Sequence, residues 1–257
     1  MKNIYFIADA HLSFKVDEKE KEKRQKLRDF LEYIMIKGEA KELYLVGDLF
    51  DFWFEWYHVI PKYWFPVLYQ LRKLVESGIA VTFIPGNHDF YTGSYLQKEI
   101  GLRCFKENCE FELDGKRFFV AHGDGYAQKD RGYRLLKRII RSPVSIFLYK
   151  TFIPADLGMQ LARWASKSSR ELVNIDKAAW AEEYYRFAQK KFHEGFDYVI
   201  LGHLHYPLVK EDSQGEKIFI SCGDWMTQFT YCKYDGQRLT LEYWREKDLN
   251  PPVICND

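Results

Sequence analysis

Five short apolar runs of this sequence each end on a side chain that binds metal ions. Most of the runs are rich in β-branched or aromatic residues, and their length is that of a buried β-strand. The side chains that follow are aspartate, asparagine and histidine, whose oxygen and nitrogen atoms suit zinc, iron or manganese. In chain order the motifs are Asp9-Ala10-His11, Gly47-Asp48, Gly86-Asn87-His88-Asp89, Ala121-His122-Gly123-Asp124 and Gly202-His203-Leu204-His205.

The order of these runs predicts an α/β fold. Amphipathic helical stretches, roughly 19–36 and 61–76, separate the first three runs, and their lengths suit crossovers between parallel strands. Ligands of open α/β sheets bind where loops leave the carboxyl ends of the strands, so we expect the motifs to meet at one sheet edge. Residues 217–221, 227–234 and 239–244 have β-type patterns, and we expect them to form antiparallel strands of a second sheet.

Size, charge and cysteine usage narrow the class of protein. With 257 residues, 47% of them hydrophobic, the chain can bury one substantial core, and we expect a single domain over residues 1–257. Its 38 basic and 37 acidic residues give a net charge of +1, which argues against a surface built throughout for nucleic acid. Five cysteines without a C-x-x-C pair, and no run that suits a signal peptide or a membrane span, favour a reducing, cytoplasmic setting.

Residues 126–196 interrupt the alternation of strands and helices with a helical pattern, which predicts an insertion within the domain. Basic side chains far outnumber acidic ones over 129–170, and an arginine recurs at helical spacing from Arg131 to Arg141 beside an apolar face. This pattern is typical of a basic amphipathic helix. Two interpretations stay open: the apolar face packs in a bundle with a solvated basic side, or the helix meets an acidic lipid at an anionic membrane surface.

The motifs contain enough ligands for two divalent cations. Asp9 and His11 stand two residues apart at a strand end, where both side chains can point to the same side. Asp48 can offer two oxygens and so bridge a cation pair, which is the usual device for hydrolysing phosphate esters. We expect one ion to be held by Asp9, His11, Asp48 and His205, and the other by Asp48, Asn87, His122 and His203.

The ordered set D-x-H, G-D-x-x-D, G-N-H-D, H-G-D and G-H-x-H resembles the motifs of the calcineurin-like metallophosphoesterase superfamily. The resemblance covers residues 9–205 and implies a four-layer αββα sandwich of two mixed β-sheets with a dinuclear site at one edge. His88 is then the residue that protonates the leaving group or stabilises its charge, and Asp51 orients it, unless Asp51 only caps the next helix. We interpret Asp89 and Asp124 as partners of the histidine ligands.

Residues 47–55, 130–133, 154–158 and 223–225 resemble the UDP-2,3-diacylglucosamine diphosphatase family, which extends the likeness over nearly the whole chain. This resemblance implies cleavage of UDP-2,3-diacylglucosamine to UMP and 2,3-diacylglucosamine 1-phosphate in lipid A biosynthesis. It also implies manganese as the metal and a helical lid over 126–196 that holds the acyl chains. The best-known branch of that family has arginine where this chain has His88, and a histidine can also deliver a proton. The implied substrate contacts are Asp130 and Tyr133, with Asn87, Arg163, Ser166 and Lys167 as further candidates.

These features predict an acylated UDP-sugar substrate and peripheral attachment to the inner face of the cell inner membrane through the basic amphipathic lid. We expect no nucleic-acid partner and no obligate protein partner. Two rival hypotheses remain. In one, the same metal chemistry acts on another phosphodiester, nucleotide or phosphoprotein, and the insertion is a plain helical bundle. In the other, the chain is an interaction module that kept the sandwich and lost its metals.

Overall fold

A computed structural model describes residues 3–36, 39–127, 131–172 and 177–244. A 3-10 turn (Lys62–Trp64) precedes the second helix, and a short π-helix (Leu96–Ile100) precedes the fourth strand. The helices are α1 (Glu18–Ile36), α2 (Phe65–Glu76), α3 (Arg131–Ile140), α4 (Pro143–Phe152), α5 (Ala155–Leu172) and α6 (Lys177–His193). The strands are β1 (Asn3–Ile7), β2 (Ala40–Val46), β3 (Ala80–Ile84), β4 (Arg103–Cys104), β5 (Asn108–Leu113), β6 (Lys116–Ala121), β7 (Tyr198–Leu201), β8 (Pro207–Glu211), β9 (Ile218–Cys222), β10 (Thr230–Tyr234) and β11 (Leu239–Tyr243).

The strands form two mixed sheets. The first has six strands in the order β11-β10-β1-β2-β3-β4, and the second has five in the order β5-β6-β7-β9-β8. Strands β1 to β4 run parallel in the first sheet, and β6, β7 and β9 run parallel in the second. Helices join β1 to β2, β2 to β3 and β6 to β7, whereas the connection from β7 to β9 runs through the antiparallel strand β8. Each sheet thus presents a row of strand carboxyl ends from which loops leave.

The last strands do not all belong to the second sheet. β10 and β11 pair with each other as predicted, but β10 also pairs antiparallel with β1, with Ile4 opposite Tyr234, so both strands extend the first sheet. β9 lies in the second sheet and runs parallel to β7. The expectation of three antiparallel strands in one second sheet was therefore wrong. β1 is buried along its whole length and needs partners on both edges, and β10 supplies the second one.

The alternation of side chains along β1 divides the core between two faces. Ile4 and Phe6 lie in a cluster between the two sheets, whereas Tyr5 and Ile7 lie in a cluster beneath α1 and α2. A third cluster fills the space between the second sheet and α6. The layers are helix, sheet, sheet and helix, and the predicted αββα sandwich is confirmed.

Helix α6 falls within the predicted insertion 126–196 but forms the outer layer of the sandwich. Tyr184, Ala188 and Phe192 are buried against β6 and β7. By contrast, α4 buries none of its residues within Pro143–Phe152. The helices that stand away from the sheets are therefore α3, α4 and α5, and the boundaries of a lid remain a prediction.

Candidate metal centre

The predicted ligands meet at one edge of the sandwich because the carboxyl ends of parallel strands from both sheets lie there. Asp9 follows β1, Asp48 follows β2 and Asn87 follows β3, while His122 and His203 follow β6 and β7 of the second sheet. Two side chains from opposite sheets are already in contact, since the Nε2 atom of His122 lies 3.3 Å from Asp48 Oδ2. The convergence expected from the sequence is observed.

The backbone at this edge adopts an unusual conformation. Seven described non-glycine residues have positive φ, and five of them are predicted ligands: Asp9 (56°), His11 (40°), Asp48 (51°), His203 (69°) and His205 (49°). The left-handed region is costly for residues with a Cβ, and such strain concentrates at functional sites. Glycines allow the loops to approach closely, because a Cβ at Gly86 would overlap the Asp48 carboxylate. Backbone strain is therefore concentrated where the polar side chains of the predicted centre meet.

One group of potential ligands consists of Asp9, His11 and His205, whose ligand atoms lie within 4.8 Å of one another. The Nε2 atoms of His11 and His205 lie 3.7 and 3.4 Å from Asp9 Oδ1. Asp9 Oδ1 and His11 Nε2 are buried and have no hydrogen-bond partner. Buried polar atoms are rarely left unsatisfied. A cation between them would satisfy these atoms, so the residues present fit a metal ion.

A second group consists of Asp48, His122 and His203. Asp48 joins the two groups, since its Oδ2 atom lies 3.5 Å from His11 Nε2 and 3.3 Å from His122 Nε2. The Asn87 amide oxygen lies 3.3 Å from His122 Nε2, on the same side. All seven predicted ligands therefore lie in one cluster, and Asp48 stands where a bridging carboxylate would stand.

The charges in this cluster favour a cation at its centre. Burial lowers the pKa of His122, but the adjacent Asp48 carboxylate more than offsets this effect and the pKa rises to about 10. Burial also lowers the pKa of His11, and contacts with Asp51 and Asp9 bring it up to about 9. The raised pKa values of these two buried imidazoles indicate a negative electrostatic potential within the cluster. Divalent cations would compete for the same place.

His88 lies at the rim of the cluster, with its Nε2 atom 4.0 Å from Asp48 Oδ2 and its ring edge against the His11 ring. Its Nδ1 atom is 2.9 Å from the backbone carbonyl oxygen of Asp51. The Asp51 carboxylate faces His11 instead, 3.6 Å from His11 Nδ1. The contact expected between these two residues exists, but it uses the backbone of Asp51. The carboxylate supports a predicted metal ligand.

Asp89 and Asp124 both interact electrostatically with the ligand histidine His122, and each also has partners that the sequence did not predict. Asp89 accepts backbone N–H groups of Gly86 and Asp48 at 2.8 and 3.2 Å, and so ties the loops after β2 and β3 together. The Asp124 carboxylate lies 2.9 Å from Nζ of Lys137 on α3 and 3.1 Å from a nitrogen of Arg141, the residue that follows α3. These ion pairs attach α3 to the loop that carries His122.

The basic side of α3 therefore faces the metal loops, which neither interpretation of the sequence anticipated. Arg134 donates hydrogen bonds to the carbonyl oxygens of Gly125 and Ala127, at 3.2 and 2.8 Å. On the opposite side Leu135 and Ile139 are 61% and 56% exposed, and Ile139 and Ile140 line an apolar cavity. This face is therefore not buried in a tightly packed bundle. These basic side chains pair with Asp124 because its buried carboxylate is shielded from water and is stabilised by nearby positive charge.

Most of the predicted substrate contacts fall where the structure gives no side-chain detail. Asp130 lies outside the described residues, and the side chains of Tyr133, Ser166 and Lys167 lie outside them as well. Arg163 lies on α5, with its guanidinium 5.7 Å from the centroid of the Phe14 ring. These assignments stay predictions.

An apolar cavity of about 340 Å³ opens beside the metal loops. Its volume is in the range of small-molecule sites. The residues on either side come from two parts of the chain, Phe52, Phe54 and Phe90 from the metal loops and Ile140, Tyr149 and Leu161 from helices α3 to α5. Because Phe52 follows Asp51 and Phe90 follows Asp89, the cavity wall continues directly from the cluster.

Two supporting residues were missed by sequence reasoning. Lys23 on α1 is buried, and its ammonium group donates to the backbone carbonyl oxygen of His11 at 2.7 Å. The Oδ2 atom of Asp224 lies 3.8 Å from His205 Nδ1. Lys23 lies in a charge run that looks like a solvated helix face, and nothing in the pattern singles it out. Asp224 belongs to the Gly223-Asp224-Trp225 segment, which resembles the family but for which the resemblance implies no particular role.

The family model of calcineurin-like phosphoesterases matches residues 2–207 of the chain. The chain belongs to this family. It is 32% identical over 255 residues to a Porphyromonas gingivalis protein named UDP-2,3-diacylglucosamine hydrolase, a match that covers 93% of this chain and 96% of that protein. A Neisseria meningitidis serogroup B protein of the same name is 29% identical, with 92% and 95% covered. A solved archaeal phosphodiesterase aligns at 14% identity with a TM-score of 0.45, covering 94% of this chain and 99% of that one.

Membership in the calcineurin-like phosphoesterase family explains the clustered carboxylates and imidazoles. The protein is a metal-dependent hydrolase of phosphate esters or diphosphates, which removes the hypothesis of an interaction module without metals. Among the described helices, none combines the length and the apolar character that crossing a membrane requires.

Proposed function

We propose that this protein hydrolyses UDP-2,3-diacylglucosamine to UMP and 2,3-diacylglucosamine 1-phosphate, with two divalent cations that we expect to be Mn²⁺. In this reaction the oxygen of a water molecule bonds to the phosphorus that carries uridine. The bond from that phosphorus to the bridging oxygen breaks, and the bridging oxygen leaves with the diacylated sugar phosphate. The observation that carries the substrate assignment is the apolar cavity that continues from the metal loops.

The residues of the centre divide into two holding groups. We assign Asp9, His11 and His205 to one cation and Asn87, His122 and His203 to the other, with the Asp48 carboxylate shared between them. When bound, the cations supply Lewis acidity that lowers the pKa of water and neutralises charge on the phosphoryl oxygens. The strained loops hold these ligands in place before the substrate arrives, which limits reorganisation during the reaction.

His88 is the residue we assign to the leaving group. Its Nδ1 atom is held by the Asp51 carbonyl, so Nε2 is the nitrogen that faces the cluster. With Nδ1–H donating to that carbonyl, Nε2 carries a proton only in the imidazolium form, and burial lowers the pKa of His88, so this form gives up its proton readily. Its Nε2–H can donate to the bridging oxygen as the phosphorus–oxygen bond breaks. Asp51 positions two rings, that of His88 through its carbonyl and that of His11 through its carboxylate.

We assign the binding of the substrate's acyl chains to the apolar cavity and to the helices that line it. Phe54, Tyr149 and Leu161 offer apolar or aromatic surface, and burying each methylene of an acyl chain contributes about 0.8 kcal/mol. The outer surface of the same helices is also apolar, with Phe152 and Trp164 68% and 72% exposed. Exposed apolar surface of this kind marks interaction sites. We propose that it rests on the inner leaflet from which the lipid substrate comes.

The decisive experiment incubates the purified protein with Mn²⁺ and UDP-2,3-diacylglucosamine and measures UMP by chromatography. We expect UMP release, a much slower reaction with UDP-glucosamine, which lacks acyl chains, and no release from an Asp48→Ala variant. Asp114→Ala is a matched control, because Asp114 also has positive φ but lies in the hairpin between β5 and β6.

The alternative substrates predict other results. A protein that binds metal but releases no UMP would refute the diphosphatase assignment while leaving the metal centre standing. Equal rates with the acylated and non-acylated substrates, together with rapid hydrolysis of bis-p-nitrophenyl phosphate, would favour a general phosphodiesterase. Absence of bound Mn²⁺ in the wild-type protein would refute the metal assignment itself.

A further inference from the structure

The turn that follows β9 presents a rigid, buried carboxylate. Asp224 is 3% exposed, and its Oδ1 atom accepts the backbone N–H groups of Met226, Thr227 and Gln228 at 3.0, 2.7 and 3.1 Å. Three such hydrogen bonds fix the orientation of the carboxylate. The Thr227 hydroxyl lies 3.2 Å from Oδ1 and 3.4 Å from the other oxygen, Oδ2.

That second oxygen faces a predicted metal ligand. Asp224 Oδ2 lies 3.8 Å from Nδ1 of His205, a nitrogen that is buried and has no hydrogen-bond partner. The opposite nitrogen of the same ring, Nε2, lies 3.4 Å from Asp9 Oδ1 in the centre. The separation of 3.8 Å is too long for a hydrogen bond, so the carboxylate acts on the imidazole through its charge. The ring stands between the turn and the metal centre.

The same turn also holds the backbone of two ligands. The N–H group of Trp225 donates to the carbonyl oxygen of Asp9 at 3.1 Å, and the Gln228 amide donates to the carbonyl oxygen of His205 at 3.4 Å. Asp9 and His205 both have positive φ, a conformation that needs such support from its surroundings. A short segment of chain thus contacts one half of the centre three times.

We propose that Asp224 is a positioning residue that orients the His205 ring and thereby sets the affinity of the Asp9–His11–His205 half for its cation. A histidine that binds metal through one nitrogen usually donates its other N–H to a carboxylate or a carbonyl group. His122, in the other half of the centre, has a neutral carbonyl group as its partner instead of a carboxylate, because its Nδ1 atom lies 3.0 Å from the Val46 carbonyl oxygen. The inference rests on the metal centre of the proposed function and not on the substrate.

The test replaces Asp224 with asparagine, which keeps an oxygen for the three backbone N–H groups and removes the charge that faces His205. After chelation and dialysis, Mn²⁺ is titrated into the protein by calorimetry. We expect one of the two cations to bind about 10 to 100 times more weakly than in the wild type. The Mn²⁺ concentration that gives half-maximal UMP release shifts by the same factor, and excess Mn²⁺ restores the rate.

Asp212→Asn is the matched control, because Asp212 Oδ1 also accepts backbone N–H groups, from Glu216 and Lys217, in a turn between β8 and β9. It is expected to bind both cations like the wild type. Thermal unfolding in chelator shows whether Asp224→Asn is folded. If it is not, Asp224→Ser replaces it, since a serine hydroxyl also caps turns but does not reach His205.

A double-mutant cycle with His205→Ala separates a positioning role from a general structural one. If Asp224 acts through His205, its substitution has no further effect on Mn²⁺ affinity once the imidazole is gone. An equal loss of affinity in both backgrounds would overturn the proposal. Wild-type affinity for both cations in folded Asp224→Asn would overturn it as well. A wild-type protein that binds no Mn²⁺ would refute the metal centre on which the inference is built.

Discussion

Filling the apolar cavity should separate acyl-chain binding from phosphate chemistry. Ala162 on α5 lines the cavity of about 340 Å³ with Phe54 and Leu161, and Ala162→Phe adds the six carbons of a phenyl ring to that space. If these carbons displace as many methylenes of the acyl chain at about 0.8 kcal/mol each, the loss reaches about 5 kcal/mol. As an upper limit, this corresponds to between about three and four orders of magnitude in kcat/KM.

The assay compares kcat/KM for UDP-2,3-diacylglucosamine with that for UDP-glucosamine in the same variant. We expect the loss to lie mainly in KM and to affect the acylated substrate alone, because the cavity contributes uniform binding. Ala179→Phe on α6 is the control, since Ala179 is an exposed helical alanine that does not line the cavity. An equal loss for both substrates, or no loss for either, would refute the assignment of this cavity to the acyl chains.

Three further predictions concern the centre and the lid surface. His88→Ala is expected to lower kcat about 10² to 10⁴-fold without loss of bound Mn²⁺, and less with an activated p-nitrophenyl leaving group; an equal loss would exclude proton donation. Chelation with EDTA is expected to lower Tm, because a cation at 100 times its Kd contributes about 2.7 kcal/mol, or roughly 5 to 10 °C, and calorimetry with Mn²⁺ re-added checks this. Leu135→Asp with Leu136→Asp is expected to abolish co-sedimentation with anionic vesicles while keeping bound Mn²⁺, and unchanged sedimentation would contradict the membrane proposal.

The sequence predicts the metal centre well because its determinants are local. A buried strand followed at once by a ligand residue fixes where that residue lies, and parallel strands bring their carboxyl ends to one edge. Asp9, Asp48 and His122 could therefore be assigned without coordinates. The two halves of the sandwich follow from the same periodicity, since alternate residues of each buried strand face opposite layers.

What the sequence could not predict depends on contacts between distant segments. Nothing near β10 indicates that it pairs with β1, which lies at the other end of the chain. Asp224 supports His205 only because β9 ends beside β7, and this is a property of strand order rather than of spacing. Asp51 was assigned correctly to the neighbourhood of His88, but which of its groups makes the contact depends on a loop conformation that no pattern encodes.

The orientation of α3 shows how a local charge pattern can mislead. A basic amphipathic helix suggests cations that face an anionic surface, yet Lys137 and Arg141 are used to neutralise Asp124, whose side chain is 5% exposed. Removing those partners would leave a buried carboxylate unpaired, which costs several kcal/mol, whereas apolar side chains on the surface of a helix can stay exposed at a lower cost. Helix α3 is therefore held to the loop that carries His122 by charge, while Leu135 and Leu136 on its other side are exposed.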